Sequence, residues 1–172
     1  MSGEILTFPF TRSAAAEAEL AALEAVFRVH GARLKSLAYG FLGSEQDAED
    51  AVQDAFLKTH RAQAAFANRS ALHTWVYRVL INTCLDERRR RSRRPALSED
   101  AESAAATESP ADMRAALRQA IANLDARQRA VFLLSAVEGL PHAEIAAIVE
   151  TTESNSRTLL LEARRNLKEA LR

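Results

Sequence analysis

The sequence predicts an all-α chain: two small helical domains joined by a flexible linker, the second a helix-turn-helix domain. Three observations predict it. The composition favours helix, with five glycines in 172 residues, abundant alanine and few β-branched runs. Apolar residues recur at steps of three and four on both sides of a single break. The break itself, SRRPALSEDAESAAATESPAD at 92–112, has two prolines, one large apolar side chain (Leu97) and no periodicity. The division is a disordered tail at 1–13, a first domain at 14–94, a linker at 95–111 and a second domain at 112–172. Domains this small rely on close helix packing.

Bulk properties exclude several classes. No apolar run is long enough to span a membrane. The start, MSGEILTFPFTRS, lacks the basic opening and long apolar core of a signal peptide. The single cysteine, Cys84, cannot form an internal disulfide and reads as a small buried helix residue. A cytoplasmic location is expected. The 23 basic and 23 acidic residues cancel, which argues against a uniformly basic nucleic-acid coat. The charges are segregated instead: arginines crowd 88–94 and acids dominate 99–112, so separate surfaces are expected for separate partners.

In the first domain a helical stripe starts near Ala14 and runs through Leu20, Leu23, Phe27, His30, Leu34, Leu37, Ala38 and Phe41. Gly31 interrupts it and is expected to kink or split it. Gly40 and Gly43 are expected to end it, and Ser44 to cap the next helix. That helix runs from about Glu45 to Ala64, burying Ala48, Val52, Ala55, Phe56 and Thr59. Asp47, Asp50 and Asp54 line another side, with Gln53 flanking. Such a row is usually a solvated face. It also suits a basic partner, whereas metal is disfavoured because no His or Cys interleaves at ligand spacing.

A loop, FANRS at 66–70, offers Asn68 to a turn and Ser70 as a cap. The stretch Leu72–Arg94 then reads as one helix with two working faces. Leu72, Val76, Val79, Leu80 and Thr83 face a core. Trp75, Arg78, Asn82, Arg89 and Arg93 carry an aromatic, an amide and cations, the groups that stack on bases, bond their edges and neutralise phosphates. One or two arginines at a helix end would suit the macrodipole. Six between Arg88 and Arg94 favour nucleic acid.

In the second domain, Met113, Leu117, Ile121 and Leu124 form an apolar stripe, and Asp125 with Gln128 resembles a capping box. Val131, Leu134, Ser135 and Val137 follow, and Glu138-Gly139 stops that helix. Pro141 opens a short helix. A turn lies near Glu150–Thr152. The last helix is capped by Thr152, with Leu160, Ala163, Leu167 and Leu171 inside. Two helices joined by a tight turn describe a helix-turn-helix.

Three stretches together resemble the bacterial sigma-70 family, specifically its extracytoplasmic-function (ECF) group. AEDAVQDAFLK (48–58) looks like that family's helix for docking core RNA polymerase. HTWVYRVLINTCLDERRRR (73–91) looks like its promoter −10 helix, and 124–171 looks like its −35 helix-turn-helix. The match spans roughly residues 20 to 172. It implies that Asp50, Gln53 and Asp54 contact the coiled coil of the polymerase β′ subunit. It implies that Asn68, Trp75, Arg78, Asn82 and Arg88, Arg89, Arg90 and Arg91 serve the −10 strand. It places −35 contacts at Asn155, Arg157, Thr158 and Arg165. The implied partners are core RNA polymerase, through the β′ coiled coil and the β flap, promoter DNA and an anti-sigma factor.

The second domain departs from the family pattern. Glutamate stands at 150 and serine at 154 where relatives usually have glycine, and Ser156 stands where valine is usual. Leu159 and Glu162 stand where basic residues are usual, which implies a weakened or retuned −35 helix. A left-handed Glu150 costs roughly 1 kcal/mol or more.

The expected function is a dissociable initiation subunit that directs core polymerase to promoters and helps melt the −10 element. The alternative is a helix-turn-helix regulator that does not bind core polymerase. No enzyme activity, cofactor or metal is expected: no Ser/His/Asp or Cys/His arrangement and no phosphate-binding glycine loop is readable. The four histidines are scattered. His30 suits packing, whereas His60 and His73 flank the loop before the arginine-tailed helix.

Overall fold

The computed structural model describes residues 14–62, 72–93 and 110–172. Among these the chain is helical, with no strand. Three long helices come first: α1 (Ala14–Leu42), α2 (Glu45–Ala62) and α3 (Leu72–Arg93). Four more follow: α4 (Pro110–Asn123), α5 (Ala126–Ala136), α6 (His142–Val149) and α7 (Glu153–Ala170). The expected tail, the 66–70 loop with Asn68 and Ser70, and most of the linker lie outside the described residues. Pro110 and Ala111, assigned to the linker, open α4.

Helix α1 is continuous through Gly31 and Gly40, contrary to expectation. A helical glycine costs roughly 1 kcal/mol, which packing of Leu23, Leu34, Leu37 and Phe41 offsets. The stop comes at Gly43, whose φ of +73° is the left-handed conformation that ends helices. Ser44 then caps α2, its Oγ accepting from the Asp47 N–H at 3.3 Å.

α1, α2 and α3 pack on one another, and α5, α6 and α7 form a second group with α4 laid along α7. The groups also meet directly, α3 on α6 and α1 on α4 and α5. One core therefore runs through both, joining Leu23, Leu37, Val76 and Leu80 to Val131, Leu133, Leu134, Ile145 and Ile148. A smaller cluster, Ala120, Leu124, Ala163 and Leu167, seals α4 to α7.

The cross-group packing explains where the apolar stripes depart from expectation. Tyr77 and Ile81 are buried as well as the expected Leu72, Val76, Leu80 and Thr83, whereas Val79 is only partly buried. Met113, Leu117 and Leu171 are exposed, because α4 and the end of α7 touch partners on one narrow line. In α2, Val52 and Phe56 are half-buried, with Phe56 meeting Phe27 edge to face at 5.0 Å.

Caps fix the second group. Asp125 Oδ1 accepts from the Arg127 and Gln128 N–H groups at 2.8 and 3.1 Å. The reciprocal half of a capping box is replaced: the Gln128 side chain donates to Glu162 and accepts from Asn166. Pro141 is the cap of α6 rather than its first helical residue. Thr152 Oγ1 accepts from Asn155 N–H at 3.1 Å and starts α7. Buried Arg129 binds the end of α4, donating to the carbonyls of Ile121, Ala122 and Leu124.

Candidate functional site

Three surfaces carry the candidate residues. The first lies on α2, where a solvated row follows from burial of Ala48, Ala51, Ala55 and Thr59 on the opposite side. Asp50, Gln53 and Asp54 are exposed. They line a groove between α2 and α3 of about 360 Å³, with Asp47, Leu57, Lys58, Asp86, Glu87 and Arg90. Of its five carboxylates, Asp47, Asp86 and Glu87 pair with Arg91, Arg89 and Arg90, so its acidic character rests on Asp50 and Asp54. Asp86 and Glu87 were missed in the sequence because the arginine run beside them dominated the reading. Leu57, 46 % exposed, adds an apolar contact at its edge. Arg91 crosses from α3 to Asp47 and holds that carboxyl below the usual carboxylate range.

The second surface is α3. Asn82, Arg89, Arg90, Arg91 and Arg93 are exposed. Their charges are partly matched on the same helix: Arg89 pairs with Asp86 at 3.2 Å and Arg90 with Glu87 at 3.1 Å. Trp75 is half-buried against the core. Two expected DNA-facing arginines are turned to the second group. Arg78 donates to the Ala147 carbonyl at 2.6 Å and pairs with Glu150 at 2.9 Å. Arg88 bridges the Phe41 and Ala122 carbonyls, and burial lowers its pKa. Arg78 meets α6 and its terminal residue, and Arg88 meets the end of α4. Asn68 lies outside the described residues.

The third surface is α7, following α6 through a tight turn. Glu150 ends α6 at φ 55°, ψ 58°, the one non-glycine with positive φ among the described residues. The left-handed turn expected there is present, at roughly 1 kcal/mol or more. Burial of Ser156, Leu160, Ala163 and Leu167 leaves Asn155, Arg157, Thr158 and Arg165 exposed. Arg157 pairs with Glu153. Ser156 is fully buried, and its hydroxyl is satisfied 2.9 Å from His142 Nδ1. Leu159 packs on the core, and Glu162 accepts from the Gln128 side chain.

The histidines do not gather. His73 lies 3.5 Å from Glu144, and the His60 ring stacks on Phe56. Among the described residues no group of His, Cys, Asp and Glu could hold a metal ion, and no helix is long and apolar enough to cross a membrane.

Comparison with known proteins decides what these three surfaces belong to. Residues 26–94 match the family described as Sigma-70 region 2, and residues 114–167 match Sigma-70, region 4. The ECF RNA polymerase sigma factor SigM of Mycobacterium tuberculosis is 30 % identical over 151 residues, covering 87 % of this chain and 77 % of that one. The chain belongs to the sigma-70 family, in its ECF group. Other members are similar too. The RNA polymerase sigma-H factor of Pseudomonas aeruginosa is 31 % identical over 155 residues, covering 81 % of this chain and 80 % of its own. The fold is that of solved sigma structures. CnrH, solved with the cytosolic domain of CnrY, superimposes with a TM-score of 0.69 at 23 % identity, covering 91 % of this chain and 94 % of that one. The sigma factor RpoE of Bartonella quintana, solved with the anti-sigma factor NepR, gives 0.61 at 24 % identity, covering 90 % and 94 %. In this sigma-70 member the acidic groove and the arginine-tailed helix fall inside the first matched region, and α6, the turn and all but the end of α7 inside the second.

Proposed function

We propose that the chain works as a dissociable initiation subunit whose binding energy is divided among these three surfaces. The acidic groove docks core polymerase through Asp50, Gln53 and Asp54, joined by Asp86 and Glu87. A groove with this charge takes a basic helical partner, the β′ coiled coil. The first domain, 14–94, also serves the −10 element: Trp75, Asn82 and Asn68 meet the unpaired strand, and Arg78 and Arg88 to Arg91 neutralise phosphates. The second domain, 112–172, meets the β flap and presents Asn155, Arg157, Thr158 and Arg165 of α7 to the −35 duplex. The segment between them spans the distance between the two DNA elements. The subunit contributes no catalysis and takes no cofactor. It acts in the cytoplasm, held by an anti-sigma factor until released.

The observation that carries this reading is the acidic groove. A helix-turn-helix regulator that ignores polymerase has no use for exposed Asp50 and Asp54 aligned along one cleft. The test is co-elution of the purified chain with sigma-free core RNA polymerase, wild type beside Asp54→Lys. Wild type is expected to co-elute and the variant to dissociate. If neither binds in an inhibitor-free preparation, the docking assignment is wrong and the regulator reading replaces it.

A further inference from the structure

A cavity of about 320 Å³ lies where the end of α1, the tail of α3 and α4 meet. Tyr39, Leu42 and Ile121 give it aromatic and apolar walls, and Arg88, Arg91 and Arg118 enter it. Among the described residues that line it there is no carboxylate. The groove between α2 and α3 is of similar size and is built the other way: there, Asp86 and Glu87 stand beside arginines and match them. The walls are closely packed. A methyl group on Gly40, in the lining, would stand 2.7 Å from a Leu133 methyl, so α1 and α5 meet behind the cavity without slack.

Arg91 is neutralised by Asp47 and Glu87. Arg88 and Arg118 have neutral partners instead. Arg88 donates to the Phe41 and Ala122 carbonyls at 3.4 and 3.2 Å, and burial lowers its pKa with no carboxylate acting against the shift. Arg118 donates to the Tyr39 hydroxyl at 3.3 Å. Arg129, buried 6.0 Å from the ring of the cavity-lining Phe41, donates to carbonyls alone among the described residues. Three guanidiniums with neutral partners thus gather at one cavity. A partly desolvated cation without a counter-ion is costly, and like charges nearby add to the cost, so the place favours an anion.

The donors for one are at hand. The two carbonyls leave Arg88 with N–H groups to spare, as Tyr39 leaves Arg118. Tyr39 accepts through its oxygen, so its own O–H remains to donate. The planar fork of a guanidinium matches phosphate oxygens. The volume falls at the lower end of small-ligand pockets, about 300–1,000 Å³, which suits a mononucleotide. An aromatic ring beside aliphatic side chains suits a base.

We propose that this cavity binds a nucleoside phosphate, its phosphate on Arg88, Arg118 and the Tyr39 hydroxyl and its base against the Tyr39, Leu42 and Ile121 wall. The site does not depend on the polymerase and promoter reading. Only its consequence, competition between the ligand and promoter phosphates for Arg88, rests on that reading.

Isothermal titration calorimetry of the full chain with ADP, at low salt and without magnesium, tests the site, with adenosine and inorganic phosphate titrated beside it. ADP is expected to saturate a single site, and adenosine and phosphate each to bind at least about tenfold more weakly. Arg118→Gln is expected to weaken ADP about tenfold and Tyr39→Phe about fivefold. Arg118 is exposed, so its replacement is expected to leave the circular dichroism unchanged. Arg93→Ala, in the arginine run but outside the cavity, is expected to bind ADP as the wild type does. Absence of saturable ADP binding overturns the site. Binding lost in Arg93→Ala but kept in Arg118→Gln also overturns it, because the ligand then sits on the arginine tail. Adenosine as tight as ADP overturns the phosphate assignment, and inorganic phosphate as tight as ADP overturns the base assignment.

Discussion

Arg129 is the most consequential side chain that composition and spacing gave no reason to single out. It is 2 % exposed, lies 6.0 Å from the centre of the Phe41 ring and donates to three carbonyls at the end of α4. Replacing it with methionine keeps most of the stem and removes the guanidinium. Ile121 O retains the Leu124 N–H and Ala122 O retains Arg88, but Leu124 O, buried with its residue, loses its charged donor. One newly unsatisfied buried carbonyl costs about 1–3 kcal/mol, and each hydrogen bond to a charged group is worth about 1.5–3. Removing the buried cation returns part of that. The net expectation for Arg129→Met is about 3 kcal/mol, roughly a hundredfold in the unfolding equilibrium. A helical unit of about 60 residues has only about 3–9 kcal/mol in total. Urea unfolding followed by circular dichroism reads the midpoint, and amide exchange localises the loss to α4–α7. A loss below about 1 kcal/mol, or one spread evenly into α2, would refute the view that Arg129 is the tie between α4 and α5.

Two further outcomes follow from burial and charge. Burial pushes the Cys84 thiol up to about 12, so a thiol reagent at pH 8 is expected to label the folded chain only at the rate of its opening and the urea-unfolded chain at once; rapid native labelling would contradict the packing of α3. Arg91 holds Asp47 below its unfolded carboxylate value, so that pair stabilises the fold above about pH 4 and the contribution disappears as pH falls through the folded value. Asp47→Asn is expected to cost at most about 1 kcal/mol at pH 7, given the partial exposure of both partners, and progressively less as pH falls through the lowered folded value; a difference that grows on acidification would reverse the sign of the argument.

The sequence by itself determined the elements and much of the chemistry they carry. Ser44, Asp125 and Thr152 start helices because their side chains accept N–H groups two or three residues on, a bond that needs nothing from the rest of the fold. The exposure of Asp50 and Asp54 followed from the alanine side opposite them, and the turn at Glu150 from the break in periodicity around it. The tertiary structure alone decided what lay across the gap between the two helical groups. Gly40 read as a stop because its partner, Leu133, lies far away in sequence, and Arg78 and Arg88 read as free cations because Glu150, Ala147 and Ala122 are invisible to helical spacing. Ser156 stood out only as a serine where valine is usual, and the fold alone puts His142 against its hydroxyl. Local bonds are set by a residue and its near neighbours. Which surfaces remain open depends on which helices meet, and that is a property of the packed chain.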